Sequence, residues 1–365
     1  MKILEIHYST AWAGAERLVV DLCNELSYSQ HVTLCTIIDD KLPGKAYYKK
    51  DLYDSVDYVN LGCKSGLHIT ALWRILKIII KEKPDVVHAH CNLIAIILPS
   101  LLYRKCKFYH TIHTMPNSRA ALNPRLKWLY NYIYKNRVFP ITISNVCRDA
   151  FIDTYHFEPF EIDNGRSELK VSEALESVKE ELQSLKLNQD DKIFIHVARC
   201  EPAKNQALLI SAFRKFLKNG YHGILICIGA NFDKDENKKL LLSFEKGMYW
   251  LGVKDNVADY LFCSNFFVLS SIREGMPISL LEALSFGVIP ICTPIGGIPN
   301  VIIDKKYGYI SKSLNVDDFF NSLVSAYLEE NSFDKNVLKE YFNKNYSMRN
   351  CANSYLNCFN KYYYD

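Results

Sequence analysis

The feature of this chain that most limits its fold is a regular alternation of short β-rich runs with amphipathic helical patterns. Between the first two β-rich runs, Leu18, Leu22 and Leu26 recur every four residues, which describes one face of a helix. Alternation of this kind builds a parallel sheet with helices on both faces. In the first half of the chain, the predicted strands are Lys2–Tyr8, Val32–Ile38, Asp57–Leu61, Asp85–His90, Lys107–Ile112 and Pro140–Ser144.

The alternation breaks once and then resumes, so the same architecture is predicted twice. Residues Val171 to Asp191 form a charged helical pattern followed by a polar turn, which we interpret as a linker. Ligands of open α/β sheets bind beyond the carboxyl ends of the strands, so two such lobes facing each other would make a cleft. Beyond the linker, the predicted strands are Lys192–Ala198, Gly223–Gly229, Phe266–Ser270 and Val288–Thr293.

Size and composition indicate a two-domain globular protein. The chain has 365 residues, of which 49% are apolar and 23% charged, and its net charge of +4 is too small to argue for a nucleic-acid partner. The twelve cysteines stand singly with no C-x-x-C pair, and the N-terminal residues lack a signal-peptide pattern. The longest apolar run, Leu93–Tyr103, contains Pro99 and is too short to span a bilayer. We therefore expect a cytoplasmic location.

Charge is unevenly distributed along the chain, because no Asp or Glu occurs between Val86 and Arg148. We predict that segment 104–148 docks on the anionic inner face of the cytoplasmic membrane, at about 1 kcal/mol per cation near the surface. The alternative is a solvated basic face that balances acidic residues elsewhere. The cations of this stretch are Arg104, Lys105, Lys107, Arg119, Arg125, Lys127, Lys135, Arg137 and Arg148, with Trp128, Tyr130, Tyr132 and Tyr134 among them.

The most informative segment for chemistry is SSIREGMPISLLEALSFG, residues 270–287. Glu274 follows a buried strand, and Pro277 is suited to open a helix because its missing N–H costs nothing there. Leu281 and Leu284 are predicted to face the core. The backbone N–H groups of Gly275, Ile278 and Ser279 would then lie at a helix start, where the dipole favours an anion.

The stretch E-G-x-P-x-x-L-L-E-A, with seven residues between its carboxylates, resembles the signature of the retaining glycosyltransferases of family 4, which have the GT-B fold. The resemblance implies that Glu274 bonds to donor-sugar hydroxyls and that Glu282 holds the ribose hydroxyls. It also implies nucleotide-sugar contacts from the adjoining residues Gly275, Met276, Pro277 and Ile278. The alternative is a helix N-terminus with two incidental glutamates.

A second segment, RCEPAKNQ, follows the strand Lys192–Ala198. Arg199 and Lys204 resemble the family's Arg–Lys pair that grips the donor diphosphate. Two fixed cations would stabilise the departing nucleoside diphosphate, so no metal ion and no other cofactor is expected. The alternative is a surface pair flanking a helix start. Asn205 stands where the family often has glycine.

Weaker matches lie elsewhere in the chain. Gly14, in the turn A-G-A-E-R, resembles a family glycine that approaches the phosphates, and His113 matches the histidine that contacts the donor sugar. His110 competes with His113 for that role, and we interpret His88 and His90 as packing or acceptor-side residues. Three further matches are Asp163-Asn164-Gly165, which resembles the turn closing the first lobe, Gly296-Gly297, which resembles the turn lining the nucleotide cleft, and Tyr355 to Tyr363, which resembles the terminal helix.

The resemblance covers nearly the whole chain and implies an α/β protein of the GT-B fold, with two facing Rossmann-like domains, parallel sheets and an interdomain cleft. The predicted domains are an acceptor-side domain 1–168, on which a helix at about 348–365 packs back, and a nucleotide-sugar-binding domain 169–347. A GT-A enzyme would need a D-x-D metal site, and the only such triplet, Asp233-Lys234-Asp235, lies in a polar run. No G-x-G-x-x-G, P-loop or G-x-S-x-G motif occurs.

The predicted function is transfer of a hexose or N-acetylhexosamine from a nucleotide-sugar, with UDP-sugars favoured, to a lipid-linked oligosaccharide or polysaccharide. Family members of this kind build capsule, O-antigen and related surface polymers. Two alternatives stay open. One is another GT-B enzyme, such as a nucleotide-sugar epimerase or a disaccharide phosphorylase, and the other is a non-catalytic partner subunit.

Overall fold

The computed structural model describes residues 1–64, 69–113 and 126–361, which form two compact units. Unit 1 comprises Met1–Ser167 and Ser347–Asp365, and unit 2 comprises Glu168–Tyr346. The predicted domain limits differ from these by one residue at each boundary. Residues 362–365, which the predicted terminal helix includes, lie outside the described part of the chain.

Unit 1 is built on a parallel sheet of seven strands in the order β3-β2-β1-β4-β5-β6-β7. The central strands are almost entirely buried, as expected for a sheet covered on both faces. Ile3 of β1 pairs with Val32 of β2 on one side and with Val86 of β4 on the other. The strands are β1 (Lys2–His7), β2 (His31–Ile38), β3 (Val56–Cys63), β4 (Val86–Ala89), β5 (Lys107–Ile112), β6 (Val138–Thr142) and β7 (Phe160–Glu161).

The helices of unit 1 cover this sheet, and the last of them is formed by residues near the C-terminus of the chain. They are α1 (Gly14–Ser27), α2 (Ile69–Glu82), α3 (Ile94–Leu102), α4 (Lys127–Asn136), α5 (Asn145–Tyr155) and α14 (Met348–Lys361). The predicted face of α1 is confirmed, because Leu18, Leu22 and Leu26 are all buried. Helix α14 is fixed to unit 1 by a backbone bond from Met348 N–H to the Arg166 carbonyl, and it buries Tyr355 and Phe359.

Unit 2 repeats the design with a parallel sheet of six strands in the order β10-β9-β8-β11-β12-β13. Its strands are β8 (Lys192–Val197), β9 (Gly223–Ile228), β10 (Met248–Trp250), β11 (Phe266–Leu269), β12 (Ile289–Cys292) and β13 (Tyr309–Ile310). Its helices are α6 (Leu175–Leu185), α7 (Gln206–Lys218), α8 (Lys238–Leu241), α9 (Val257–Phe262), α10 (Ile278–Ser285), α11 (Ile298–Val301), α12 (Val316–Leu328) and α13 (Lys335–Asn345). The core centres on stacked aromatic rings such as Phe194 and Phe266, whose centroids lie 4.6 Å apart.

The ten predicted strands are confirmed, with ends that differ by at most two residues, but two other predictions need correction. The segment 171–191 is not a linker: its helix α6 buries Val178 and Leu182 in the core of unit 2. Pro277 does not occupy the first helical position but precedes it, with φ −72° and ψ 122°, and α10 begins at Ile278. The strands β7, β10 and β13 were not predicted, because each has only two or three residues at or near a sheet edge.

Each sheet has a point where the strand order reverses, and this point locates the ligand-binding edge of such folds. In unit 1 it lies between β1 and β4, and in unit 2 between β8 and β11. His7 and His90 lie at the carboxyl ends of the first pair, while Arg199 and Glu274 follow the second pair.

Candidate functional site

In unit 2, the loops after β8 and β11 bring two of the predicted residues into contact. The Lys204 Nζ lies 2.6 Å from Glu274 Oε1, and the Ser271 hydroxyl donates to the same oxygen at 2.6 Å. The Glu274 side chain is only 9% exposed and that of Lys204 22%, so solvent screens this pair weakly. Both bonds reach the same carboxylate oxygen, and a carboxylate can accept further hydrogen bonds at its second oxygen.

Arg199 is not part of this pair. Its Nε lies 3.2 Å from Glu201 Oε1, and its side chain is half exposed. Exposed ion pairs of this kind contribute little to stability. Breaking the Arg199–Glu201 pair so that Arg199 can bind another anion therefore costs little free energy. The structure therefore joins Lys204 to Glu274 and leaves Arg199 at the surface of the same loop.

The loops that carry these residues are joined by hydrogen bonds from the Glu274 loop to backbone carbonyls of the Lys204 loop. The Ser270 hydroxyl lies 3.0 Å from the carbonyl oxygens of both Lys204 and Asn205, and Ile272 N–H donates to the Ala203 carbonyl at 2.8 Å. Lys204 and Glu274 thus keep their separation without relying on their own attraction.

A buried polar chain behind the loops was not predicted from the sequence. His196 Nδ1 donates to the Val268 carbonyl at 2.8 Å, so its Nε2 accepts from the Gln206 amide at 3.2 Å. Gln206 also donates to the Arg199 carbonyl at 2.9 Å, which connects β11 to the backbone of the Arg199 loop. Burial lowers the pKa of His196 to about 4, so the ring stays neutral at physiological pH. The available signal was a histidine within an otherwise apolar strand, KIFIHV.

The start of α10 lies next to Glu274 and has no side-chain cap. Its first N–H groups, including those of Ile278 and Ser279, have no intrahelical acceptor and can hold an anion. Glu282 lies half-buried in the second turn of this helix, and Met276 is buried against the core. The prediction that Leu281 and Leu284 face the core is confirmed.

Gly275 and the Gly296-Gly297 turn meet directly. Gly297 N–H donates to the Gly275 carbonyl at 2.6 Å. Gly296 has φ +59°, and a Cβ at this position would lie 2.0 Å from the carbonyl oxygen of Glu274. The turn therefore supports the backbone of the Glu274 loop at van der Waals distance, which only glycine permits.

In unit 1, a buried cluster of acid and imidazole groups lies in and just beyond the carboxyl-terminal halves of β1, β4 and β5. Glu5 Oε2 lies 3.0 Å from His88 Nδ1 and 2.9 Å from His90 Nε2. His90 Nδ1 lies 2.9 Å from Nε2 of His113, and the planes of the two rings are inclined by 23°. The predicted His113 is thus connected to Glu5 through one ring. His110, its competitor, bonds instead to Tyr134 and the Cys91 carbonyl, which is a packing role.

Burial sets the charges of this cluster. Burial alone would raise the pKa of Glu5, but the charges and hydrogen bonds of His88 and His90 outweigh it and lower the pKa to about 2. Desolvation lowers the pKa of His90 to about 3 and that of His113 well below its usual value. At neutral pH, Glu5 is therefore ionised while His90 and His113 are neutral.

Sequence reasoning missed Glu5 and gave His90 no firm role. The signal for Glu5 was a carboxylate in the middle of a buried strand, KILEIH, which needs partners to be tolerated there. Ligand atoms of Glu5, His88 and His90 all lie within 4.8 Å of one another, and among the described residues this is the group that could hold a metal ion. The same atoms already satisfy one another by hydrogen bonds. That the protein needs no metal stays a prediction.

Gly14 begins helix α1, next to Ala13, which has extended backbone and no side-chain cap. Arg17, one turn further, pairs with the carboxylates of Asp21 and Asp51. The start of α1 therefore offers N–H groups at the same edge of the sheet as His7, which is the setting predicted for Gly14.

The basic stretch of unit 1 surrounds a cavity of about 440 Å³. The cavity lies at the amino-terminal ends of β5 and β6, opposite to the ends that carry the histidine cluster. The cations that line it are Arg104, Lys105, Lys107, Lys135 and Arg137. Trp128 and Tyr132 lie one turn apart on α4 and are both exposed, at 71% and 51%. Two further cations of the predicted membrane segment, Arg119 and Arg125, lie outside the described residues. In the described ranges, no helix has the length and hydrophobicity needed to cross a membrane.

Two sequence-family models match this chain. Residues 177–344 match the sequence model for glycosyl transferases group 1, and residues 12–165 match the model for glycosyltransferase family 4, so the two together cover most of the chain. The chain belongs to the family 4-like glycosyltransferases. In this glycosyltransferase, the first match includes the unit 2 loops, and the second includes His88, His90 and His113 but begins after Glu5.

A curated relative and two kinds of solved structure resemble this glycosyltransferase over most of its length. The UDP-Gal:alpha-D-GlcNAc-diphosphoundecaprenol alpha-1,3-galactosyltransferase of Escherichia coli is 26% identical over 90% of this chain and 82% of its own. A glycosyltransferase of Rickettsia africae has a TM-score of 0.80 at 18% identity, covering 99% of this chain and 98% of its own. The Anabaena protein HepE in complex with UDP-glucose has a TM-score of 0.79 at 15% identity, covering 99% of this chain and 100% of its own. The GT-B fold class predicted from the sequence is confirmed.

Proposed function

We propose that this glycosyltransferase moves a hexose or N-acetylhexosamine from a nucleotide-sugar onto a lipid-linked or polysaccharide acceptor of a bacterial surface polymer. UDP-sugars are the favoured donors, and the anomeric configuration is retained. The observation that carries the proposal is the Glu274 carboxylate, held by Lys204 and Ser271 beside the uncapped start of α10. These neighbouring loops supply a carboxylate that can accept hydrogen bonds from sugar hydroxyls, a cation, and a helix N-terminus that can bind an anion.

In the proposed mechanism, the diphosphate of the donor binds the N–H groups at the start of α10, with Lys204 and Arg199 as its cations. Glu274 accepts hydrogen bonds from the sugar hydroxyls, Glu282 from the ribose, and His113 contacts the sugar. Backbone contacts come from the segment 275–278 and from Gly14. As the bond from the anomeric carbon to the phosphate oxygen breaks, the cations stabilise the leaving diphosphate. The acceptor oxygen attacks on the same face, and its proton goes to the leaving phosphate.

The choice of donor and acceptor rests on the relatives. The name of the Escherichia coli relative states UDP-Gal as donor and a GlcNAc-diphosphoundecaprenol acceptor, and the Anabaena structure contains UDP-glucose. These support a UDP-sugar and an acceptor with a polyprenyl diphosphate.

The proposal is tested by incubating the protein with UDP-Gal, UDP-Glc, UDP-GlcNAc or UDP-GalNAc and GlcNAc-diphosphoundecaprenol. Mass spectrometry of the product detects transfer, and NMR of the new linkage reports its configuration. Glu274→Gln should abolish most of the transfer, while Glu201→Gln, a carboxylate on the neighbouring loop, should retain it. Conversion of the donor without acceptor would favour an epimerase. A product of inverted configuration would contradict the mechanism.

Metal independence is proposed because protein cations and a helix end supply the charge that Mg²⁺ or Mn²⁺ would otherwise provide. Transfer should be unchanged by an excess of EDTA. Loss of transfer with EDTA, and its return with one divalent cation, would contradict this part of the proposal.

Docking on anionic membranes is proposed for the face of unit 1 that carries the basic cavity. Exposed Trp128 and Tyr132 suit the headgroup region, and the cations that line the cavity attract anionic lipid. Flotation with anionic vesicles should bring the protein to the lipid fraction at low salt and less at high salt. Trp128→Ala should weaken flotation, whereas Trp73→Ala, which removes an exposed tryptophan of α2, should not. Equal loss in both variants would refute this surface.

A further inference from the structure

The buried cluster of unit 1 contains more information than the position of His113. Its polar atoms lie at hydrogen-bond distances, and every hydrogen bond needs one donor and one acceptor. The positions of the hydrogens can therefore be assigned one bond at a time, beginning at Glu5. An ionised carboxylate only accepts hydrogen bonds. The two ring nitrogens that face it, Nδ1 of His88 and Nε2 of His90, must therefore both carry hydrogen.

The next bond follows from the neutrality of His90. A neutral imidazole has one N–H, and that of His90 is used at Nε2 for Glu5. Its Nδ1 is then a lone pair, which lies 2.9 Å from His113 Nε2. For this contact to be a hydrogen bond, His113 must donate from Nε2, which leaves Nδ1 as the lone-pair nitrogen of a neutral His113.

The other branch of the cluster closes on α14. His88 Nε2 lies 2.8 Å from the Thr111 hydroxyl, which lies 3.1 Å from the Tyr355 hydroxyl. Each of these polar groups is buried, so rotation to an alternative partner would leave a group unsatisfied, at a cost of about 1–3 kcal/mol. The arrangement is therefore fixed from Glu5 outward.

We propose that Glu5, acting through His90, is a positioning residue that holds His113 as the neutral Nε2–H tautomer and so presents its Nδ1 as a hydrogen-bond acceptor. The functional part of this inference rests on the proposed role of His113 toward the donor sugar. The chemical partner of Nδ1 is a hydroxyl group of that sugar, because a hydroxyl can donate to a lone pair. A carbonyl or a phosphate oxygen of the ligand cannot take this place.

The tautomer can be measured on the resting protein, without donor or acceptor. In protein labelled with ¹⁵N-histidine, two-bond ¹H–¹⁵N correlation spectra distinguish Nε2–H, Nδ1–H and doubly protonated rings, and loss of one signal set in His113→Asn assigns His113. At pH 7 we expect the Nε2–H pattern for His113. An Nδ1–H or doubly protonated pattern would overturn the proposal, whatever the activity.

Glu5→Gln tests the direction of control. The amide of glutamine accepts at its oxygen but donates at its nitrogen, so one facing histidine must present a lone pair instead of N–H. We expect the Nε2–H signals of His113 to give way to a mixture of tautomers. Transfer should fall by about tenfold or more, because the wrong tautomer places N–H where a lone pair is needed.

Tyr355→Phe is the matched control. It removes a buried hydroxyl from the same network, but Thr111 can still bond to His88, so the bonds from Glu5 to His113 are unchanged. We expect the wild-type tautomer and less than about a twofold change in transfer. Equal tautomer changes in both variants would mean general loosening and would overturn the control by Glu5.

Two further outcomes separate this proposal from the proposed function. If His113 has the expected tautomer but His113→Asn transfers sugar as well as the wild type, the role of His113 in transfer fails. In that case Glu5 still fixes the tautomer of His113, but this tautomer has no role in sugar transfer. If elemental analysis instead finds one equivalent of metal that Glu5→Gln releases, the carboxylate and rings are ligands, and the proposal is wrong.

Discussion

Replacing Gly296 by alanine should damage the Glu274 loop far more than an ordinary glycine substitution. The Cβ of alanine would lie 2.0 Å from the Glu274 carbonyl oxygen, 2.8 Å from its carbon and 3.2 Å from the Gly275 oxygen. Ordinary contacts to a Cβ begin near 3.4 Å, so the two backbones must separate by more than 1 Å. All three neighbours are backbone atoms, and no side-chain rotation can relieve the clash.

The size of the effect follows from three contributions. An alanine at φ +59° costs about 1–2 kcal/mol, because its Cβ crowds the backbone in the left-handed region. Overpacking of a tight contact adds about 1–3 kcal/mol. Lengthening the bond from Gly297 N–H to the Gly275 carbonyl adds about 1 kcal/mol. We expect a loss of roughly 3–6 kcal/mol from unit 2, and a shift of Glu274 large enough to cut turnover by about 10²-fold.

Gly220→Ala is the matched control for this prediction. Gly220 also belongs to unit 2 and also has positive φ, +84°, but a Cβ there meets nothing within 4 Å. Its substitution should cost only the conformational contribution and leave turnover unchanged. Thermal unfolding measures the stability of each variant, and steady-state transfer at a temperature where both are folded measures activity. If the two variants are equally stable and equally active, the close approach of Gly296 to Glu274 does not support the site.

Three further predictions test separate groups of unit 2. Arg199→Ala should lower turnover by about 10²–10³-fold without loss of stability, because it removes a half-exposed cation that is proposed to stabilise the leaving diphosphate; unchanged turnover would remove Arg199 from the mechanism. Glu282→Ala should weaken UDP binding in calorimetry, and an unchanged affinity would exclude the ribose role. His196→Gln should make the unfolding of unit 2 less dependent on pH. The native pKa of His196, about 4, lies below the usual 6.5, so the wild type loses up to about 2 kcal/mol between pH 6.5 and 5 as the unfolded chain takes up a proton. Parallel pH curves for His196→Gln and the wild type would contradict this.

The fold was predictable from the sequence where the signal was periodic. The β-rich runs alternate with helical patterns strongly enough to place the ten longer strands, because each must be apolar to lie inside a covered sheet. The short strands β7, β10 and β13 carry no such signal, because two or three residues define no period. The charged pattern at 171–191 was misleading, since a helix with only Val178 and Leu182 buried on one side still belongs to the core of its domain.

The candidate site was predictable only in part, for a different reason. Glu274 lies in one short motif and Arg199 and Lys204 lie in another, so local spacing was enough to suggest them. Glu5 could not be found in this way, because His88 and His90 lie more than 80 residues further along the chain and meet it only through the order of β1 and β4. Residues that orient a site through long-range contacts form no local motif. For Glu5, the signal in the sequence is a charged residue within a strand that is otherwise typical of a buried sheet.

The carboxylates of Glu274 and Glu5 are compensated in different ways, and the difference suits different tasks. Glu274 is held by the ammonium group of Lys204 on a loop, at the edge of solvent. A cation there can turn toward a phosphate when one arrives, and the hydroxyl of Ser271 keeps Glu274 in place. Glu5 is held by imidazole N–H groups inside a sheet, with no exposure at all. Such donors cannot move without leaving a buried charge unpaired, so Glu5 is suited to fixing a proton arrangement and Glu274 to exchanging partners.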